Sequence, residues 1–143
     1  MIGLMMASCT DKKVYDAYHH VSFSGWEKND VISFQPSTIK ETSKYQTTLG
    51  IRINGQFPFT NLTLIVEQTI YPKENTIIDT LECHLINKDG VPQGHGITLY
   101  QYQFPVHQLL LHKNDSLYVT VRHDMKREIL PGICDVGLCL SKQ

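Results

Sequence analysis

The sequence has no excess of charge of either sign. Its 13 Lys and Arg stand against 14 Asp and Glu for a net charge of -1, and its longest basic groupings are the pairs Lys12-Lys13 and Lys126-Arg127. Nucleic-acid-binding proteins take most of their affinity from clustered Lys and Arg that neutralise phosphates. This composition excludes that class, and both pairs read as solvated surface. Nor does any apolar run approach the roughly 20 residues of a membrane-spanning helix. Disorder is excluded from the other side, because 41% of the residues are hydrophobic and only 19% charged. Cysteine is too scarce for a disulfide framework, with four thiols at Cys9, Cys83, Cys134 and Cys139. A chain of 143 residues needs no such framework, since it buries roughly 68–70% of its unfolded surface by folding alone.

Recognisable catalytic machinery is missing too. There is no GxSxG elbow, no GxxxxGK[ST] phosphate loop and no HExxH, and the acids are scattered singly. The seven histidines show no zinc-ligand spacing. Cys83 and His84 are neighbours whose side chains diverge on a strand, and His19-His20 reads as a pair of exposed polar residues. Gly94-His95-Gly96 reads as a flexible turn. No metal, no cofactor and no enzymatic activity are expected.

What is present is a period of two. Thr47, Leu49, Ile51 and Ile53 alternate with polar residues or glycine, and Leu62, Leu64 and Val66 alternate with Thr63 and Glu67, although Ile65 interrupts their polar side. Ile77, Leu81, Cys83 and Leu85 share one face opposite Thr80, Glu82 and His84. Leu117, Val119 and Val121 form a further face, and Cys134, Val136, Leu138 and Leu140 form one side of a last strand. Turn signals separate these runs at Asn54-Gly55, Pro72-Lys73-Glu74-Asn75, Lys88-Asp89-Gly90 and Lys113-Asn114-Asp115. Short strands with recurring turns predict an all-β fold, a single antiparallel β-sandwich domain, Ig-like or jelly-roll-like, over residues 14–143. On that parity Cys134 and Cys139 point to opposite faces, while Cys83 and Cys134 point inward, where they read as free thiols unless their strands meet. Trp26 reads as a core residue over one end of the sandwich, the alternative being a ligand-stacking ring. Tyr100, Tyr102 and Phe104 read as a core face or as a row that stacks on sugars.

The first residues, MIGLMMASC, are uncharged, apolar and closed by a cysteine. They resemble the tail of a lipoprotein signal peptide, in which small residues, here Ala7 and Ser8, precede a cysteine that is acylated and becomes the mature N-terminus. The segment carries no Lys or Arg and is shorter than a full signal peptide, so the true start is expected upstream. This reading makes residues 1–8 residual signal peptide and residues 9–13 an acylated Cys9 with its tether. Two or three acyl chains, at about 0.8 kcal/mol per buried methylene, anchor stably where one does not.

Towards the C-terminus the residues become specific. Asp79-Thr80, Asp89-Gly90, Gly94 and Gly96 lead into YVTVRHDMKREILPGICDVGLCLSK. Together with the lipobox-like cysteine, Val14-Tyr15, Trp26 and Asp30-Val31-Ile32-Ser33-Phe34, this resembles the gliding-motility lipoprotein family GldH. The matching positions in the phrase are His123, Met125, Leu130, Pro131, Gly132, Ile133, Asp135, Val136 and Gly137. Lys126 stands where the family usually has Arg, which removes a bidentate contact. Pro131 and Gly132 suit a turn that ends one hairpin arm. Asp135, opposite Val136, is expected to accept hydrogen bonds from loop amides or to pair with Lys126 or Arg127. The resemblance implies a non-enzymatic, lipid-anchored envelope protein, a scaffold or adaptor linked to gliding and to protein secretion, on the periplasmic side of the outer membrane. Its implied partners are the membrane, through the lipid, and other gliding or secretion proteins; a glycan-binding surface lipoprotein is the alternative. Asp79-Thr80-Leu81 and Asp115-Ser116-Leu117 also resemble the short sites at which bacteria carrying this family O-glycosylate exported proteins, with Thr80 and Ser116 as acceptors.

Overall fold

A computed structural model describes residues 12–92, 94, 96 and 98–143. Cys9 and His95 lie outside them. Ten strands form: β1 Lys13–His20, β2 Trp26–Glu27, β3 Ile32–Phe34, β4 Ser43–Ile53, β5 Asn61–Tyr71, β6 Asn75–His84, β7 Tyr100–Leu111, β8 Ser116–His123, β9 Ile129–Leu130 and β10 Ile133–Lys142. No helix occurs among the described residues. One four-stranded sheet has the order β1-β10-β4-β7, the other β3-β8-β5-β6, and β2 pairs with β9 in a two-stranded ladder. Every pairing between strands is antiparallel. With the short ladder set aside, the first strand pairs with the last, the second with the seventh, the third with the sixth and the fourth with the fifth. That nesting is the double-sheet jelly roll, and it settles which kind of sandwich the alternation produces.

The predicted inward faces meet in one core. Thr47, Leu49, Ile51 and Ile53 of β4, Leu62, Leu64 and Val66 of β5, and Leu117, Val119 and Val121 of β8 are buried. Their outward neighbours are polar or glycine for the most part, which is why the alternation in the sequence becomes a sandwich and not a helix. The turns fall where their residues permit them. Glu74 and Asn114 have positive φ at the β5–β6 and β7–β8 corners, and Asn54 Oδ1 accepts from the Gln56 amide after β4. Pro105 lies in β7, an edge strand, beside a register shift opposite Thr47/Thr48. An edge is where a missing N–H is tolerated.

Trp26 is fully buried beneath the β2–β9 ladder, and its Nε1 donates to the Asp30 carbonyl at 2.9 Å. Tyr102 is buried with its hydroxyl on the Leu85 carbonyl at 2.7 Å, and its ring lies parallel to Phe104 with centroids 6.0 Å apart. Both aromatic features belong to the core. Cys83, Cys134 and Cys139 are free thiols. Cys83 is buried as expected, but Cys134 is only half-buried, because a register shift between Ile133 and Asp135 interrupts the parity of β10.

Candidate functional site

That register shift creates the most unusual surface on the molecule. Without it Ile133 and Asp135 would share a face; with Cys134 as the extra residue, Ile133 stays inward opposite Ile53 while Asp135 aligns with Arg52 on the outer face. Strand β1 completes two rungs across the sheet. His20, Asp135, Arg52 and Gln101 align on one, and Tyr18, Gly137, Gly50 and Gln103 on the next.

The two glycines are the reason Tyr18 lies flat on the sheet. A Cβ at Gly137 would stand 2.7 Å from the Tyr18 ring, and one at Gly50 2.3 Å from its hydroxyl. The Arg52 guanidinium caps the other side of the ring, with Cζ 3.8 Å from the centroid, a cation–π contact. Arg52 Nε donates to Gln101 Oε1 at 3.0 Å, and its Nη1 is 3.7 Å from Asp135 Oδ2. Asp135 Oδ1 lies 2.5 Å from His20 Nδ1 but outside hydrogen-bond geometry. The Asp135 side chain is only 7% exposed, so its charge is held under the residues that surround it. The Tyr18 hydroxyl is likewise buried without a hydrogen-bond partner, and burial raises its pKa, opposed by the nearby Arg52 charge. Beside this cluster the chain leaves β1 through Val21-Ser22 to Phe23, whose ring is fully exposed. A cleft of about 200 Å³ lined by His20, Phe23, Asn54 and Gly132 lies between them.

The remaining phrase residues do other work. His123 ends β8 pointing inward, with Nε2 2.9 Å from the Trp26 carbonyl and Nδ1 accepting the Met125 amide at 3.3 Å. This arrangement calls for the neutral ring with its proton on Nε2, and burial lowers the His123 pKa accordingly. Met125 Sδ accepts the Thr63 amide at 3.3 Å. Pro131 and Gly132 form the turn between β9 and β10, and Gly132 has φ +91° and accepts the Asn54 amide at 2.9 Å.

The site expectations therefore divide into two places. Asp135 and Gly137 lie together on the outer sheet face, while His123, Met125, Pro131 and Gly132 lock the end of the sandwich. The expected pairing of Asp135 with Lys126 or Arg127 is corrected: the side chains beside its carboxylate are His20 and Arg52, because the bulge turns it towards β4. Tyr18 and Arg52 carry no signal of their own in the sequence, and Gly50 inside a strand is the one available; His20 is exposed, as expected of the His19-His20 pair. Thr80 is exposed on edge strand β6, whereas Ser116 is half-buried at the start of β8. No group of three or more His, Cys, Asp or Glu able to hold a metal occurs among the described residues.

The phrase that builds this surface lies within residues 13–140, which match the GldH lipoprotein family as a whole. The chain belongs to that family. It is 37% identical to the gliding motility lipoprotein GldH of Flavobacterium johnsoniae over 155 aligned positions, covering 100% of this chain and 93% of the relative. It is 27% identical to the GldH homolog of Christiangramia forsetii, covering 97% and 90%. Among solved structures, the globular domain of zebrafish complement 1qA superposes with a TM-score of 0.51 at 13% identity, over 92% of this chain and 96% of that one. At that identity the likeness concerns the fold alone. This family member thus places part of its phrase on the outer sheet face, covered by Tyr18 and Arg52, and the rest at the end of the sandwich.

Proposed function

We propose that the protein is a non-enzymatic, lipid-anchored scaffold of the gliding apparatus and of linked protein secretion. It is held through an acylated Cys9 on the periplasmic side of the outer membrane and docks a protein partner on the Tyr18–Arg52–Asp135 face. The observation that carries this reading is that Asp135 and Gly137, two residues of the family phrase, lie on the outer side of the sheet beneath a flat Tyr and a capping Arg. Tyr and Arg are the residue types that dominate binding energy at protein interfaces. The exposed Phe23 adds an apolar anchor next to them. Asp135 lies beside His20 and Arg52, so the face offers charge as well as shape to a partner.

Two measurements test it. Metabolic labelling with an acyl analogue should mark the native protein and leave a Cys9→Ala variant unmarked; equal labelling of the two refutes the anchor. Photo-crosslinking from position 23 in gliding cells should capture an envelope protein, and Arg52→Ala should reduce capture at least about tenfold, the loss typical of an interface hot spot. Undiminished capture by Arg52→Ala would remove this face as the docking site.

A further inference from the structure

The strand directions divide the charge of the molecule between its two ends. β1 starts, β10 finishes, β4 starts and β7 finishes at one end, and the loops there are tied together. The Lys142 amide donates to the Lys12 carbonyl, the Gln143 amide to the Lys44 carbonyl, the Lys113 amide to Thr42 Oγ1 and the Asn114 amide to the Ile39 carbonyl. This gathers Lys12, Lys40, Lys44, Lys113 and Lys142 on one end. Of these, only Lys142 has an ion-pair partner among the described residues, Glu41. Asp115, at the β7–β8 corner, is buried and accepts the His112 amide at 2.8 Å, and the neighbouring β5–β6 corner adds Lys73 and Glu74, whose charges oppose each other. Lys12, Lys40, Lys44 and Lys113 are exposed. A cleft of about 330 Å³, lined by Val14, the segment from Pro36 to Glu41, Tyr45 and Lys142, opens between them. The opposite end mixes the signs, with Glu27, Asp30, Asp124 and Glu128 alongside Lys28, Lys126 and Arg127.

We infer that this lysine end rests on anionic phospholipid headgroups, an inference that depends on the anchored reading for its orientation. Cys9 lies three residues before Lys12, and three residues of fully extended chain span only about 10 Å. A protein held at Cys9 therefore keeps Lys12 within about one screening length of the membrane surface, and the other lysines are bonded to the same loops. Clusters of four to eight cations next to a membrane attachment attract anionic lipid, each adding roughly fivefold to the partition. Such a contact fixes which way the sandwich stands. The strands of the sheet, up to 12 residues long at about 3.3 Å each, then carry the Phe23–Asp135 face towards the end that points away from the bilayer.

The test uses the full chain with Cys9→Ala, so that charge is read without the acyl chains. It is mixed with phosphatidylcholine vesicles and with equimolar phosphatidylcholine–phosphatidylglycerol vesicles, and the ratio of the two partition coefficients is the readout. The expected ratio is at least about tenfold in favour of the anionic vesicles, falling towards one in about 1 M salt, where screening acts over about 3 Å. K40E/K44E/K113E should abolish the preference, and K126E/R127E, at the other end, should retain it. Equal partition onto both vesicles, no binding to either, or the same loss from both triple and double variants would overturn the inference. Because the acyl-labelling experiment is separate, an unacylated Cys9 would refute the anchor without disguising the vesicle result.

Discussion

At the scale of single residues, the buried polar groups decide the most. The neutral His123 ring donates to Trp26 and accepts from Met125; a second proton on Nδ1 would face the Met125 amide head to head. Its folded pKa is lowered, chiefly by burial, so between that value and the unfolded value near 6.5 the unfolded chain holds more protons. The stability contributed is fully present above about pH 6.5 and is lost as pH falls through that range, with a slope of at most about 1.4 kcal/mol per pH unit. Denaturant unfolding between pH 8 and 5 should show this dependence in the native protein and less of it in His123→Gln. Gln68 is the opposite case. Its amide is completely buried on β5 and neither its oxygen nor its nitrogen has a hydrogen-bond partner. An unsatisfied buried amide costs about 1–3 kcal/mol, so Gln68→Met should raise the unfolding free energy by about 1 kcal/mol or more. A drop in stability would mean the amide is satisfied. Gly132→Ala, at φ +91° with the Phe57 amide nitrogen 2.3 Å from the added Cβ, should destabilise by about 2 kcal/mol or more in the same assay.

At the scale of elements, legibility follows locality. β4, β5, β6 and β8 were readable because their core residues recur every second position, and the corners at Asn54, Glu74, Asp89 and Asn114 were readable because turn chemistry is held within a few residues. β1 was not, since its residues Asp16, Tyr18, His19 and His20 show no apolar alternation, His19 being exposed with its ring beside Phe34. β2 and β9, of two residues each, fall below any periodicity. The β10 bulge was invisible because it is defined by what lies across the sheet. That one residue reversed the reading of Cys134 and moved Asp135 from a hairpin partner to Arg52. The same difference is open to thiol chemistry. Burial pushes the Cys83 thiol up to about 12, and the thiolate is the reactive form. In a Cys9→Ala background at pH 8, a small maleimide should modify half-exposed Cys139 and, more slowly, Cys134, whose pKa burial also raises. Cys83 should react only on unfolding. Native labelling of Cys83 would show that β6 does not stay closed over the core.

At the scale of the whole molecule, a jelly roll whose first described strand starts at the lysine end sets that end a strand's length away from the Tyr18–Arg52–Asp135 face. The first strand runs from the lysine end to the His20 end, and the last strand returns beside it, so the lysine end and the Tyr18 and Asp135 part of the outer face are joined by the same two strands, with Arg52 on β4 next to them. Gly137 and Gly50 are what allow this, because any side chain there would lift Tyr18 off the sheet. Gly137→Ala should thus separate folding from docking. The clash is with a ring at the surface rather than with backbone, so the stability loss is expected to be about 1–3 kcal/mol, within reach of a domain whose core is otherwise intact. The Arg52–Tyr18 stack, by contrast, should be lost. In cells, that variant should remain acyl-labelled and membrane-bound yet fail to crosslink from position 23. Crosslinking at the native level would place the partner elsewhere on the sandwich, whereas loss of the folded protein would show that the glycine rung serves the fold first.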